Sequence, residues 1–123
     1  MFRLFLLFSS EYGFGGLSEA DLISIYKNRT ALTALDEFAS LWRSYQSNNL
    51  ESLFNTAQEL ETAYPFILTA VKAHIDRVPN GEKRGRPMES LIGIMKELKT
   101  DEFGPIFSEF SKRESIYGFG DLQ

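Results

Sequence analysis

From Ser18 onward, apolar side chains recur at three- and four-residue spacing in one segment after another. That period belongs to helices with a single buried face. The first stripe, Leu22, Ile25 and Tyr26, follows Ser18, which with Asp21 three residues on makes an N-capping signature for a helix reaching about Lys27. Behind Thr33 comes a second stripe of Leu35, Phe38, Leu41, Trp42 and Tyr45, ended by the polar run Gln46-Ser47-Asn48-Asn49. An Asn of that run caps a third helix with Leu50, Leu53, Phe54, Ala57 and Leu60 inward. Pro65 suits the first turn of a fourth helix. This helix is expected to reach Val78, before Pro79, and to be the central one, burying Phe66, Ile67, Ala70, Val71, Ile75 and Val78. Pro87 opens a fifth helix facing inward with Met88, Leu91, Ile92, Met95 and Leu98. Thr100 or Asp101 caps a sixth bearing Phe103, Ile106, Phe107 and Phe110, whose start Pro105 limits.

Ahead of the helices, Phe2–Phe8 is a continuous apolar run, the pattern of a strand covered on both faces. It is too short to span a bilayer and lacks the small-residue cleavage site of a signal peptide. A lone strand needs partners, and the later sequence offers none. The motif Tyr12-Gly13-Phe14-Gly15-Gly16-Leu17 returns as Tyr117-Gly118-Phe119-Gly120-Asp121-Leu122. Each copy is read as a turn into a helix, its glycines supplying positive φ or close approach and its aromatics anchoring the loop. Asp121 would then cap a further helix, so the chain is expected to be an incomplete unit.

The fold class that follows is mainly α: a helical bundle of about six helices with one N-terminal strand. Residues 1–80 hold the strand and four helices, and 81–86 (Gly81-Glu82-Lys83-Arg84-Gly85-Arg86) form a linker rich in turn formers and charge. Residues 87–123 make an incomplete, winged-helix-like helical region, with Asp121 starting its third helix.

A hydrophobic content of 43% is enough for a packed core and argues against disorder. The net charge is −4, and acids outnumber bases both before and after residue 80, which weighs against strong non-specific nucleic-acid binding. With no cysteine there is no disulfide, thiolate nucleophile or cysteine-ligated metal, a composition suited to the cytoplasm. The strand followed by Gly13-Phe14-Gly15-Gly16 is not a dinucleotide-binding turn, because Ser18 stands where the third glycine belongs. His74 is the single histidine, with Arg77 one helical turn on and no carboxylate four residues away to complete a metal pair. It reads as a packed histidine, with general acid–base use as the alternative. Lys83, Arg84 and Arg86, with Lys112 and Arg113, are the basic clusters, read as solvated or, alternatively, as phosphate contacts. The stripes Trp42/Tyr45 and Phe103/Phe107/Phe110 are expected in the core. No catalytic, metal or cofactor constellation emerges.

Several features taken together resemble a known family. They are Gly13-Phe14-Gly15-Gly16-Leu17, Trp42, Pro65-Phe66, Ala73-His74, Arg77-Val78-Pro79, Gly85-Arg86-Pro87 with Glu89, Phe103, Phe107, and the closing Tyr117–Gln123 segment. Their order and spacing resemble the middle-to-late part of bacterial proteins of the domain-of-unknown-function 1835 family, whose C-terminal region is unknown-function domain 3658. The resemblance runs from about Phe5 to Gln123. It implies that Phe2–Phe8 closes a preceding α/β domain and that a final helix follows Asp121. It implies no activity and transfers no catalytic residue.

The sequence therefore points first to a non-enzymatic interaction or regulatory module that meets a protein partner or self-associates through the N-terminal strand. A nucleic-acid-binding, winged-helix-like regulator using Lys83, Arg84 and Arg86 is the alternative. An enzyme using His74 and Arg77 with a partner domain is the third reading. No membrane partner is expected.

Overall fold

The computed structural model describes the backbone of Phe5–Leu6 and residues 14–119. The expected strand outside Phe5–Leu6, the front Tyr12-Gly13 pair and the Asp121 helix start lie outside the described residues. Among the described residues the chain is mainly helical, with six α-helices, and the chain divides into two compact units, Met1–Phe38 and Ala39–Gln123.

In the first unit, β1 (Phe5–Leu6) pairs antiparallel with β2 (Thr30–Ala31), Phe5 opposite Ala31 and Leu6 opposite Thr30. The strand thus has a partner that the sequence did not reveal, because the two residues Thr30–Ala31 are too few to carry an alternating pattern. Between the strands runs α1 (Glu19–Lys27), closed by the expected capping box: Asp21 N–H donates to Ser18 Oγ at 3.2 Å and Ser18 N–H to Asp21 Oδ2 at 3.3 Å. Leu22 and Tyr26 were expected inward, yet both are exposed, and α1 buries no residue. A two-residue ribbon offers too little surface to cover a helix. Phe14 is likewise exposed, and Gly15 and Gly16 have neither positive φ nor close neighbours. The front motif is an ordinary turn, closed by Leu17 N–H donating to the Phe14 carbonyl.

Helix α2 (Leu35–Gln46) ends with Asn48 in the left-handed region, which asparagine tolerates better than most residues. Its expected stripe holds only in part: Leu41 joins the core, but Leu35, Trp42 and Tyr45 are exposed. The buried residue is Ser44, whose hydroxyl meets that of Ser52 on α3 (Leu50–Leu60) at 2.8 Å. Two small polar side chains sit at this contact, so α2 turns its Leu41–Ser44 line toward α3.

Helix α3, capped by the Asn49 side chain accepting from Ser52 N–H, buries Leu53, Ala57 and Leu60 as expected. It packs on α4 (Pro65–Asp76), where Leu68 and Val71 complete a core bordered by Leu41, Leu50, Phe54, Ile67 and Ile75. Phe66 and Ala70, expected inward, are exposed, and α4 stops at Asp76 rather than Val78. The shift follows from α4 serving two neighbours. Leu68 and Val71 face α3, while Ala73, also buried, receives the C-terminal segment.

The 80–83 stretch is a tight reversal in which Asn80 and Lys83 exchange both backbone hydrogen bonds at 3.0 Å. Positive φ at Gly81 alone of the two central residues fits a type II′ turn. Gly85, at φ +90, then caps α5 (Arg86–Leu98), with Pro87 in its first turn. A Cβ at Gly85 would stand 2.4 Å from the Arg77 carbonyl oxygen, so the backbones meet in direct contact there.

Helix α5 pairs with α6 (Phe103–Arg113) through Ile94, Ile106 and Phe110, with Leu91 and Phe119 at the edge. Ile94 is fully buried, whereas Met88, Met95 and Leu98, expected inward, are exposed. Helix α6 covers only one side of an apolar arc that is wider than one neighbour requires. Phe103 is exposed and stacks on Phe107 at 5.2 Å, so the expected aromatic face is only half core. Thr100 Oγ1 accepts from Glu102 N–H, and Glu102 itself occupies the N-cap position without a side-chain bond. After a 3₁₀ turn, Ser115–Tyr117, Gly118 adopts φ +57 and Phe119 lies against Phe110. The rear motif thus behaves as expected where it is described.

Gly85→Ala should lower unfolding free energy by about 2–4 kcal/mol, since it combines a clash with the Arg77 carbonyl and a disfavoured φ. Gly81→Ala, in open space with strain alone, should cost roughly 1–2 kcal/mol. Urea denaturation of both variants checks the ordering.

Candidate functional site

Two side-chain clusters on the second unit have the composition of a site. The first is a ladder of rings. Trp42 and Tyr45, one turn apart on α2, stack at 5.5 Å between centroids and 20° between planes. Tyr45 then meets the His74 ring of α4 at 5.1 Å, tilted by 53°. Trp42 is 58% exposed and Tyr45 49%, so the ladder is a surface feature, not the core that their helical spacing suggested. Its base is firm, because Leu41 and Ile75, one residue from Trp42 and His74, pack on the α3–α4 core. Burial holds the His74 imidazole below the ordinary histidine value, and the Arg77 guanidinium adds to the effect. The ring is therefore neutral near pH 7, an aromatic surface rather than a cation.

The second cluster gathers the ends of three helices. Arg86, the first residue of α5, donates from Nε to Glu114 Oε2 at 2.9 Å, and its Nη2 lies at ion-pair distance, also 2.9 Å, from the same oxygen. Its Nη1 stands 3.6 Å from Asp76 Oδ2 at the end of α4. Glu114, following α6, is buried with its side chain one-tenth exposed, so the pair is partly desolvated. The hydrogen bond to Glu114 raises the Arg86 pKa further, so the guanidinium is charged throughout. Beside it, Tyr117 donates its hydroxyl to the Ala73 carbonyl at 2.7 Å, and burial pushes its phenol up. Arg86 lies over the Tyr117 ring and Arg77 over the Phe119 ring, at 5.7 and 5.4 Å from the centroids.

The sequence-derived candidates are therefore dispersed. His74 belongs to the aromatic ladder, while Arg77 leans over Phe119. Arg86 is held by Glu114, and Lys83 lines a groove of about 650 Å³ with Arg86, Asp76, Glu82 and Glu89. Neither this groove nor a shallower depression along α3, lined by Asn49, Ser52 and Glu59 among others, includes His74 or Arg77. Arg84 is tied through its backbone N–H to Glu89 Oε1 at 3.3 Å. Arg113 bridges Glu97 and Glu109, at 2.7 Å each. Two of the five basic side chains, Arg86 and Arg113, are thus neutralised internally. Among the described residues no three His, Asp or Glu side chains assemble a metal site, and no buried side-chain polar atom lacks a partner. Sequence reasoning missed Tyr45, Glu114 and Tyr117 as site members, since their partners lie on other helices and carry no local signature.

The chain matches no protein-family model, no curated protein and no solved structure.

Arg86→Ala leaves the buried Glu114 carboxylate unpaired, and should cost about 2 kcal/mol after discounting for the exposed arginine side. Tyr117→Phe, removing one neutral hydrogen bond, should cost about 1 kcal/mol; thermal or urea unfolding reads both. His74 carries the opposite linkage from a paired histidine. Its folded value lies below the unfolded one, near 6.5, so its stabilising effect is full above that pH. It is lost as pH falls from there through the folded value. The stability difference between the wild type and His74→Phe should therefore shrink as pH falls below about 6.5, and parallel stability curves there would show that His74 does not titrate this way.

Proposed function

We propose that this protein is a non-enzymatic interaction or regulatory module that binds a protein partner through the Trp42–Tyr45 face of α2, flanked by His74. The observation that carries this reading is the stacked pair itself, half-exposed on a helix anchored by the core. Tryptophan and tyrosine dominate the energetics of protein interfaces, because they cover large apolar area while losing little side-chain entropy on binding. His74 stands in the aromatic ladder and neither it nor Arg77 lines a groove, which supports a binding role over catalysis. The internal pairing of Arg86 and Arg113 weighs against the nucleic-acid alternative on Lys83, Arg84 and Arg86, which is left with Lys83, Arg84 and Lys112. Membership in the domain-of-unknown-function 1835 and 3658 families belongs to the same proposal, as does a cytoplasmic setting, consistent with the absence of cysteine. Among the described residues, no helix is long and apolar enough to cross a membrane.

Trp42 is the only tryptophan, so its fluorescence reports on this face alone. A partner identified by affinity capture and then purified should shift that emission to the blue on titration. Trp42→Ala should weaken the same complex by about 2 kcal/mol, near thirtyfold. An unchanged affinity would remove the aromatic face from the interface. Salt-sensitive binding of labelled duplex DNA, lost in Lys83/Arg84→Ala, would instead support the nucleic-acid reading.

A further inference from the structure

Past His74 the aromatic ladder runs on to a cation that no described residue pairs. Phe66, Ala70, His74 and Arg77 are four, four and three residues apart, which sets them within an arc of about 80° on one side of α4 and its helical C-cap. Phe66, Ala70 and Arg77 are exposed, and His74 is half-buried. The contact of His74 with Tyr45, and of Tyr45 with Trp42, carries this surface onto α2. At its other end the Arg77 guanidinium lies over the Phe119 ring, close enough to His74 to lower the proton affinity of the imidazole.

The charges say what fits this surface. Among the described residues Arg77 makes no ion pair, whereas Arg86 and Arg113 are each held by carboxylates. Asp76 is the one acid of α4, and it stands about 100° round the helix from Arg77, where it approaches Arg86 instead. Arg43, the charged residue between Trp42 and Tyr45 in sequence, is again basic. A guanidinium resting on a ring is pre-organised, and its N–H fork matches a carboxylate. A nucleic-acid backbone repeats its charge at every nucleotide and is bound by several cations together. One unpaired cation among rings instead matches one carboxylate among apolar side chains.

We infer that the partner's contact segment is acidic and apolar together: an aspartate or glutamate side chain forks onto Arg77, while a neighbouring aromatic or aliphatic side chain covers Tyr45 and Trp42. The inference rests on the reading of the Trp42–Tyr45 face as a protein-binding surface. To that reading it adds the chemistry of the partner and makes Arg77 the residue that selects it.

A displayed library of random peptides, selected on the immobilised full chain and counter-selected on Trp42→Ala, supplies the probe. Recovered peptides should carry Asp or Glu close to Trp, Tyr, Phe or Leu, and a synthetic copy should shift the Trp42 emission to the blue. Arg77→Ala should weaken that peptide about tenfold, and so should changing its acid to the amide. The two changes together should cost little more than either alone. Arg77→Lys should recover only part of the loss, since an ammonium is a point charge without the fork. Arg77→Glu should lose the acidic peptide and gain a copy with Lys in place of the acid, a reversal that general unfolding does not produce. Far-UV circular dichroism should stay unchanged, since the Arg77 side is exposed. Peptides that depend on Trp42 but carry no acid, or ignore Arg77→Ala, would overturn the inference and leave the interaction reading standing. An empty selection would also overturn it, because a linear segment is required to bind. Peptides that bind Trp42→Ala as well as the wild type would remove the aromatic face, and the inference with it.

Discussion

Around one guanidinium, the C-terminal half of this protein is tied together. Arg86 opens α5, reaches the carboxylate of Glu114 beyond α6 and approaches Asp76 at the end of α4. A charged side chain in three places at once fixes where those helix ends stand, and the buried Glu114 makes the arrangement costly to leave. Two further constraints close the same junction. Gly85 brings the start of α5 against the Arg77 carbonyl, and the Tyr117 hydroxyl fastens the 3₁₀ turn to Ala73. The turn from Asn80 to Lys83, short and doubly hydrogen-bonded, leaves little freedom in the path between α4 and α5.

With the helices held this way, each hairpin buries a narrow core and leaves much of its apolar surface outside. Leu53, Ala57, Leu68 and Val71 form one core, and Ile94, Ile106 and Phe110 the other. Trp42, Tyr45, Met88, Met95, Leu98 and Phe103 remain exposed. Single exposed apolar residues are common in soluble proteins, but stacked rings are an organised feature. The aromatic ladder of α2 and α4 and the exposed Met88, Met95 and Leu98 of α5 differ in chemistry, one planar and aromatic, the other flexible and aliphatic.

The helices were legible because their signals are local. Ser18 with Asp21, the Asn before Leu50, Pro65 and Pro87 each marked a helix start through a bond or a steric preference acting within a few residues. The faces were less legible. In α2 the buried line is Leu41–Ser44 rather than Trp42–Tyr45, in α4 it includes Leu68 and Ala73 rather than Phe66 and Ala70, and in α5 it is Ile94 rather than Met88 and Met95. Each apolar arc is wide enough to admit more than one rotation about the helix axis, and a serine pair or a neighbouring tyrosine decides among them.

The candidate site divides in the same way. Sequence alone determined that the chain is mainly helical, where most helices start, and that it holds a single histidine and no cysteine. Capping, periodicity and composition act along the chain and need no neighbour. Only the tertiary structure decided that His74 extends a Trp42–Tyr45 stack, that Arg86 is bound to Glu114, and that β1 finds its partner in Thr30–Ala31. Those outcomes depend on which elements meet in space. Contacts between residues up to 29 apart, as Tyr45 and His74 are, leave no periodic trace in the sequence that would announce them.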